Sequence, residues 1–213
     1  MKNFIFYLLT IVGVFVILVL FFSKEPSKET QNKTMNTQSA PAGKYKEPPK
    51  MSINPDKNYQ AEVETSLGNF TISLFPKETP NTVNNFIFLS REKFYDGVVF
   101  HRIIKDFMIQ TGDPQGNGTG GPGYQFEDEP ISREYKRGMV AMANSGPDTN
   151  GSQFFIMHKD NDLPKNYVIF GEVISGIETV DKIAEVEVED NGMGEASKPK
   201  EKVIINSITV TEK

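Results

Sequence analysis

The sequence predicts a mainly β fold, a closed antiparallel barrel capped at its ends by two helices. Three observations predict it. From Tyr59 onward, short apolar runs recur at close spacing and are bounded by Gly, Pro, Asn and Asp, the pattern of small barrels. Only two segments carry a helical period. No internal repeat points instead to a solenoid or propeller.

The elements follow in order. Ala61, Val63, Thr65 and Leu67 alternate with polar residues, and Phe70, Ile72 and Leu74 resume the alternation. This predicts a hairpin turning at Gly68-Asn69. Thr79-Pro80 starts a helix, with Thr79 as N-cap and Pro80 at the first helical position. Val83, Phe86, Ile87 and Phe94 form its buried face. Strands are expected at Val98–Ile104, Phe107–Gln110, Gly138–Met142, Gln153–Met157 and Tyr167–Ile174. The second helix fits Ile177–Val186, with Ile177, Val180, Ile183 and Ala184 on one face. A last strand over Val203–Val210 ends the domain, which is assigned to residues 59–213.

Ahead of the domain the chain changes character. Phe4 to Phe22 is an apolar run of 19 residues, broken by Thr10 and Gly13. As a helix it would span about 28 Å, close to the ~30 Å hydrocarbon core of a bilayer. It ends Leu20-Phe21-Phe22-Ser23-Lys24, without the small-x-small site of a cleaved signal. Residues 1–22 are therefore expected to be a retained single-pass membrane anchor or uncleaved signal. Lys2 before the run resembles the start of an export signal, while Lys24, Lys28 and Lys33 lie beyond it. The expected topology puts the domain outside the cytoplasm. Residues 23–58 are rich in Lys, Glu, Thr, Ser, Asn and Pro and read as a disordered linker.

Composition excludes several functions. Among 213 residues there is no cysteine, so there is no disulfide, thiolate metal site or Cys nucleophile. A net charge of -5 gives no footprint for nucleic acid. His101 and His158 stand apart with no i, i+4 partner, which argues against a metal. Gly116-Asn117-Gly118-Thr119-Gly120-Gly121 matches G-x-G-x-x-G literally, but Pro114 precedes it and Pro122-Gly123 follows. No helix can start there, so no nucleotide is expected and a tight surface loop is. Glu127-Asp128-Glu129 and Glu185–Asp190 read as solvated acidic faces.

Chemistry concentrates in two segments. One is Phe100-His101-Arg102-Ile103-Ile104, continuing to Phe107-Met108-Ile109-Gln110. The other runs from Met142-Ala143-Asn144-Ser145-Gly146-Pro147 through Asn150-Gly151-Ser152-Gln153-Phe154-Phe155. Each mixes a cationic or amide side chain with large apolar ones. That suits a site that grips a peptide rather than one that cuts it. Together they closely resemble the cyclophilin family of peptidyl-prolyl cis-trans isomerases, over roughly Tyr59 to Val210.

The resemblance implies an eight-stranded barrel and isomerisation of X-Pro bonds in unfolded or flexible proteins, with no cofactor and a monomeric catalytic domain. It implies that Arg102 is the catalytic donor and that Gln153 orients it and contacts substrate. Phe107, Met108, Phe155 and Leu163 would line the pocket for the proline ring. Asn144 would pair its backbone with the substrate, flanked by Ala143 and Ser145. His101 would lie at the site without acting as a base, and Gln110 would complete the groove. The alternative is a module that binds proline-containing segments with incidental turnover; Arg102 discriminates, since a pure binder need not keep it. Two departures stand out. Asp162 occupies the place of a tryptophan that many relatives carry just before the position of Leu163, and Tyr167 that of a histidine. The loop Lys159–Asn166 is also about one residue shorter. Loss of the tryptophan implies weak cyclosporin binding.

Overall fold

The computed structural model describes residues 43–213. The anchor expected at 1–22 and the first part of the linker lie outside the described residues. Among the described residues no helix is long and apolar enough to cross a membrane.

The described residues form ten strands and two helices: β1 (Tyr59–Thr65), β2 (Gly68–Leu74), α1 (Pro80–Arg91), β3 (Arg102–Ile104), β4 (Met108–Thr111), β5 (Met139–Met142), β6 (Phe154–Met157), β7 (Ile169–Ser175), α2 (Ile177–Ala184), β8 (Val188–Asp190), β9 (Ala196–Pro199) and β10 (Ile205–Glu212). Eight strands form one antiparallel sheet in the order β10-β1-β2-β7-β5-β6-β4-β3, and β8-β9 make a separate hairpin.

The sheet curls into a half-barrel and stays open, which corrects the closed barrel expected from the strand pattern. Its end strands are β10 and β3. Between them the chain makes only an isolated bridge, Val99 to Ile204, with short flanking bonds such as Phe100 N–H to Val203 C=O at 2.9 Å. Strand β3 has three residues and packs beside β9 rather than β10. Strand periodicity reports which face is buried, not whether the end strands meet.

The inner face holds the main core. Ile103, Ile109, Ile156 and Val140 are consecutive cross-strand partners over β3, β4, β6 and β5, and each is fully buried. Val83, Phe86 and Ile87 of α1 and Val180 and Ile183 of α2 close this core from its ends. Thr79 stands at the helix entry as predicted, but its hydroxyl bonds Phe75 C=O and makes no cap. The N-terminus of α1 is capped instead by Glu129, whose carboxylate accepts from Asn81 N–H at 2.9 Å and Thr82 N–H at 2.8 Å. A carboxylate there satisfies free N–H groups and meets the positive end of the helix dipole. Of the 127–129 stretch, Glu127 is exposed as expected, whereas Glu129 caps the helix and Asp128 accepts from Asn150 Nδ2 at 2.7 Å.

Two further expectations shift. The β1–β2 turn is Ser66-Leu67, and Gly68 is the first residue of β2, paired with Thr65. Gly68 is required where it is, because its φ is +131° and a Cβ would meet Thr179 Oγ1 at 2.8 Å. Residues 43–58, read as linker, lie against the domain. Ile53 is buried in the main core, Tyr45 meets Phe88 edge-on at 5.2 Å, and Asn84 accepts from Ser52 N–H. Backbone bonds add to these contacts: Gly43 N–H donates to Gly121 C=O at 3.0 Å and Tyr45 N–H to Pro122 C=O at 2.8 Å.

Candidate active site

Successive residues of a strand face opposite sides of a sheet. The row next to the inner isoleucines therefore points outward. It consists of Arg102, Gln110, Phe155 and Ala141, each paired with the next across β3, β4, β6 and β5. Pairing thus brings Arg102 and Phe155 onto one surface although 53 residues separate them. The following row continues it with Ile104, Met108 and Met157.

The outer face carries a second apolar cluster. Met108, Phe155, Met157 and Tyr135 are buried in it, with Phe107, Ala143, Leu163 and Tyr167 packed at its edge. Tyr167 meets Phe155 edge-on, ring centroids 5.5 Å apart. All four residues expected around the proline ring, Phe107, Met108, Phe155 and Leu163, belong to this cluster. Beside it runs a cleft of about 840 Å³, lined by Gln110, Gln153, Ala143, Asn144, Ser145 and residues 118–121.

The turn that delivers Phe107 is pinned from below. Asp106 has φ +62°, and its N–H donates to Nδ1 of buried His158 at 2.9 Å. With Nδ1 accepting, Nε2 carries the proton and lies 3.2 Å from Asp181 Oδ1 on α2. His158 is therefore structural.

The family model for cyclophilin-type peptidyl-prolyl cis-trans isomerases matches residues 60–210. The chain belongs to this family. Among its relatives, a peptidyl-prolyl cis-trans isomerase of Arabidopsis thaliana is 44% identical over 66% of this chain and 90% of its own length. A peptidyl-prolyl cis-trans isomerase-like 3 of Gallus gallus is 45% identical over 70% of this chain and 93% of its own. A crystal structure of a cyclophilin-type isomerase from Cryptosporidium parvum superposes with a TM-score of 0.67 at 36% identity, covering 72% of this chain and 98% of the other. The same isomerase is known in the presence of the dipeptide Ala-Pro, at a TM-score of 0.66.

In this cyclophilin the amides and the arginine are arranged differently from the expectation. Gln153 makes no hydrogen bond with Arg102. Its Nε2 donates to Gly118 C=O at 3.0 Å and Gly120 C=O at 2.9 Å, and its Oε1 accepts from Gln110 Nε2 at 3.0 Å. Gln153 therefore ties the glycine loop to β4. Arg102 is held instead by Glu195, at the start of β9's side of the β8–β9 hairpin. Nε–H and Nη2–H donate to the two carboxylate oxygens at 2.7 Å each, and Nη1 lies 3.9 Å from Met108 Sδ.

The remaining residues singled out in the sequence are distributed around the same face. The Asn144 side chain donates to Asn166 C=O at 2.8 Å; its backbone N–H and C=O have no partner among the described residues, and the residue lines the cleft. Ala143 N–H is used by Gln153 C=O, and Ser145 is exposed. His101 lies next to the glycine loop, both ring nitrogens buried without a hydrogen bond, and burial pushes its pKa down. A buried, neutral imidazole fits a packing role. Asp162 is exposed.

Three residues escaped the sequence reading. Glu195 is one. Asp113, fully buried, shapes the glycine loop: its carboxylate accepts from Gln115 N–H at 2.7 Å, Asn117 N–H at 3.0 Å and Gly118 N–H at 2.6 Å. Burial alone would raise its pKa, but these backbone donors outweigh it and hold the carboxyl low. Tyr135, buried under the cluster, donates its hydroxyl to Tyr167 C=O at 2.9 Å and accepts from Tyr167 N–H at 3.0 Å. Tyr135→Phe removes both bonds and leaves the Tyr167 backbone unpaired, at a cost of about 1–3 kcal/mol. The expected result is a higher KM for X-Pro peptides with kcat little changed, measured by steady-state isomerisation, because the Leu163–Tyr167 edge of the pocket loosens.

Proposed function

We propose that this chain is a membrane-tethered folding helper that rotates X-Pro bonds in unfolded or flexible proteins outside the cytoplasm. The observation that carries the catalytic reading is the outward row Arg102–Gln110–Phe155 set over an apolar cluster.

The X-Pro barrier is ~18–20 kcal/mol and comes from partial double-bond character in C–N. No bond needs breaking; the amide needs only to lose resonance as it twists. A donor aimed at the prolyl nitrogen stabilises the twisted form, in which the lone pair is localised. Arg102 supplies the donor, since a guanidinium stays charged at physiological pH. Phe107, Met108, Phe155 and Leu163 hold the proline ring, and the free Asn144 backbone lies where an extended peptide can pair with it. Stabilising the twisted form above the planar one is what makes binding into catalysis. A charge-assisted hydrogen bond contributes about 1.5–3 kcal/mol, or 10- to 150-fold. The remainder comes from the dry pocket and the anchored backbone.

The apolar run Phe4–Phe22 supports anchoring, and the absent tryptophan supports weak cyclosporin binding. Protease added to intact and lysed cells tests the topology. Cleavage of the domain in intact cells is expected; protection until lysis, once an outer envelope has been permeabilised, would place the domain inside.

A further inference from the structure

Glu195 belongs to a hairpin outside the eight-stranded sheet, yet its carboxylate is the one side-chain oxygen partner of Arg102 among the described residues. We propose that Glu195 is a positioning residue for the isomerisation: it fixes the Arg102 guanidinium so that its Nη1 edge is presented to the prolyl nitrogen. The inference rests on the isomerase reading of the site.

The geometry limits what Arg102 can do. A guanidinium has five N–H donors in one rigid plane. The two-pronged contact with Glu195 takes Nε–H and one Nη2–H, and both bonds are short at 2.7 Å. One Nη1 proton is turned to Met108 Sδ at 3.9 Å, and the second Nη1 and second Nη2 protons have no partner among the described residues. Nη1 lies on the Met108 side, which is the side of the apolar cluster. The fork thus holds the plane from behind and leaves the opposite edge for substrate. Without it, a side chain one-third exposed on a three-residue edge strand would sample its rotamers freely.

The hairpin is built to hold the acid still. Asn191 N–H donates to Glu195 C=O at 2.9 Å, and the Asn191 side chain accepts from Met193 N–H at 2.8 Å. Asp190 accepts from Gly192 N–H at 2.7 Å, and Gly192 and Gly194 take φ of +88° and +85° on either side of Met193. The tip is therefore a closed turn, with Glu195 at its base. The bonds from Arg102 hold the Glu195 carboxyl down to about 2, so the fork persists throughout the neutral range. A carboxylate on this arginine has an opposite reading, a lock that substrate must break, and the test separates the two.

The test measures kcat and KM on an X-Pro peptide for the full chain in detergent. Glu195→Ala and Glu195→Gln are each made in the wild-type and the Arg102→Ala backgrounds. Misplacing the donor should cost on the order of tenfold in kcat/KM for Glu195→Ala, mainly in kcat. Glu195→Gln keeps an acceptor oxygen and should fall between. Neither change should cost anything more once Arg102 is alanine. Equal losses in both backgrounds would make Glu195 merely structural, and unchanged activity would remove its role. A rise in activity would make it the lock. If Glu195→Ala does not fold by circular dichroism, the near-isosteric Glu195→Gln decides by the same criteria. An inactive wild type would overturn the isomerase reading itself, whereas an active wild type indifferent to Glu195 would overturn only this inference.

Discussion

Arg102→Ala is expected to lower kcat/KM for X-Pro isomerisation by about 10- to 150-fold, the value of one charge-assisted hydrogen bond made in the twisted state. The loss should fall in kcat, because the apolar cluster that holds the proline ring is untouched. Arg102→Lys keeps the charge but cannot form the two-pronged contact with Glu195, so it should recover little. Folding should survive, since Arg102 is partly exposed on the outer face and its inward neighbour Ile103 carries the core contact. A protease-coupled or NMR exchange assay measures the rate, and a thermal melt checks the fold.

Phe154→Ala should give the largest loss of stability, about 3–5 kcal/mol. Phe154 is fully buried on the inner face and meets Phe86 at 5.5 Å, Tyr95 at 5.6 Å and Phe170 at 6.3 Å, all near-perpendicular. Those edge-to-face pairs add to the burial of the ring. Its neighbour Phe155 points the other way, into the outer cluster. The two substitutions should therefore separate: Phe154→Ala shifts the urea midpoint while folded molecules keep their kcat/KM, and Phe155→Ala lowers kcat/KM at modest cost in stability.

Much of this site was legible in the sequence because its residues fall into a few nearly continuous blocks. Arg102 travels with Phe107 and Met108, and Gln153 with Phe155. Their convergence was not legible, since it depends on the register of β3 on β4 and of β4 on β6. Glu195 was invisible for the same reason, lying 93 residues from Arg102 in a segment with no apolar period. The resemblance pairs Gln153 with the arginine, but its Nε2 donates to the glycine loop instead. Gly68 reads as a turn because glycine marks turns, but in the fold it permits close approach to Thr179. The open edge between β10 and β3 depends on two short bridging segments that no periodicity reports.

The central claim is that one outward surface both binds and turns over X-Pro bonds. NMR of a labelled X-Pro peptide with catalytic amounts of the chain, together with amide shifts of the chain itself, tests it most directly. Faster cis–trans exchange is predicted, with shift changes at Arg102, Met108, Asn144 and Phe155. Unaccelerated exchange, or shift changes on a face away from this row, would contradict the account.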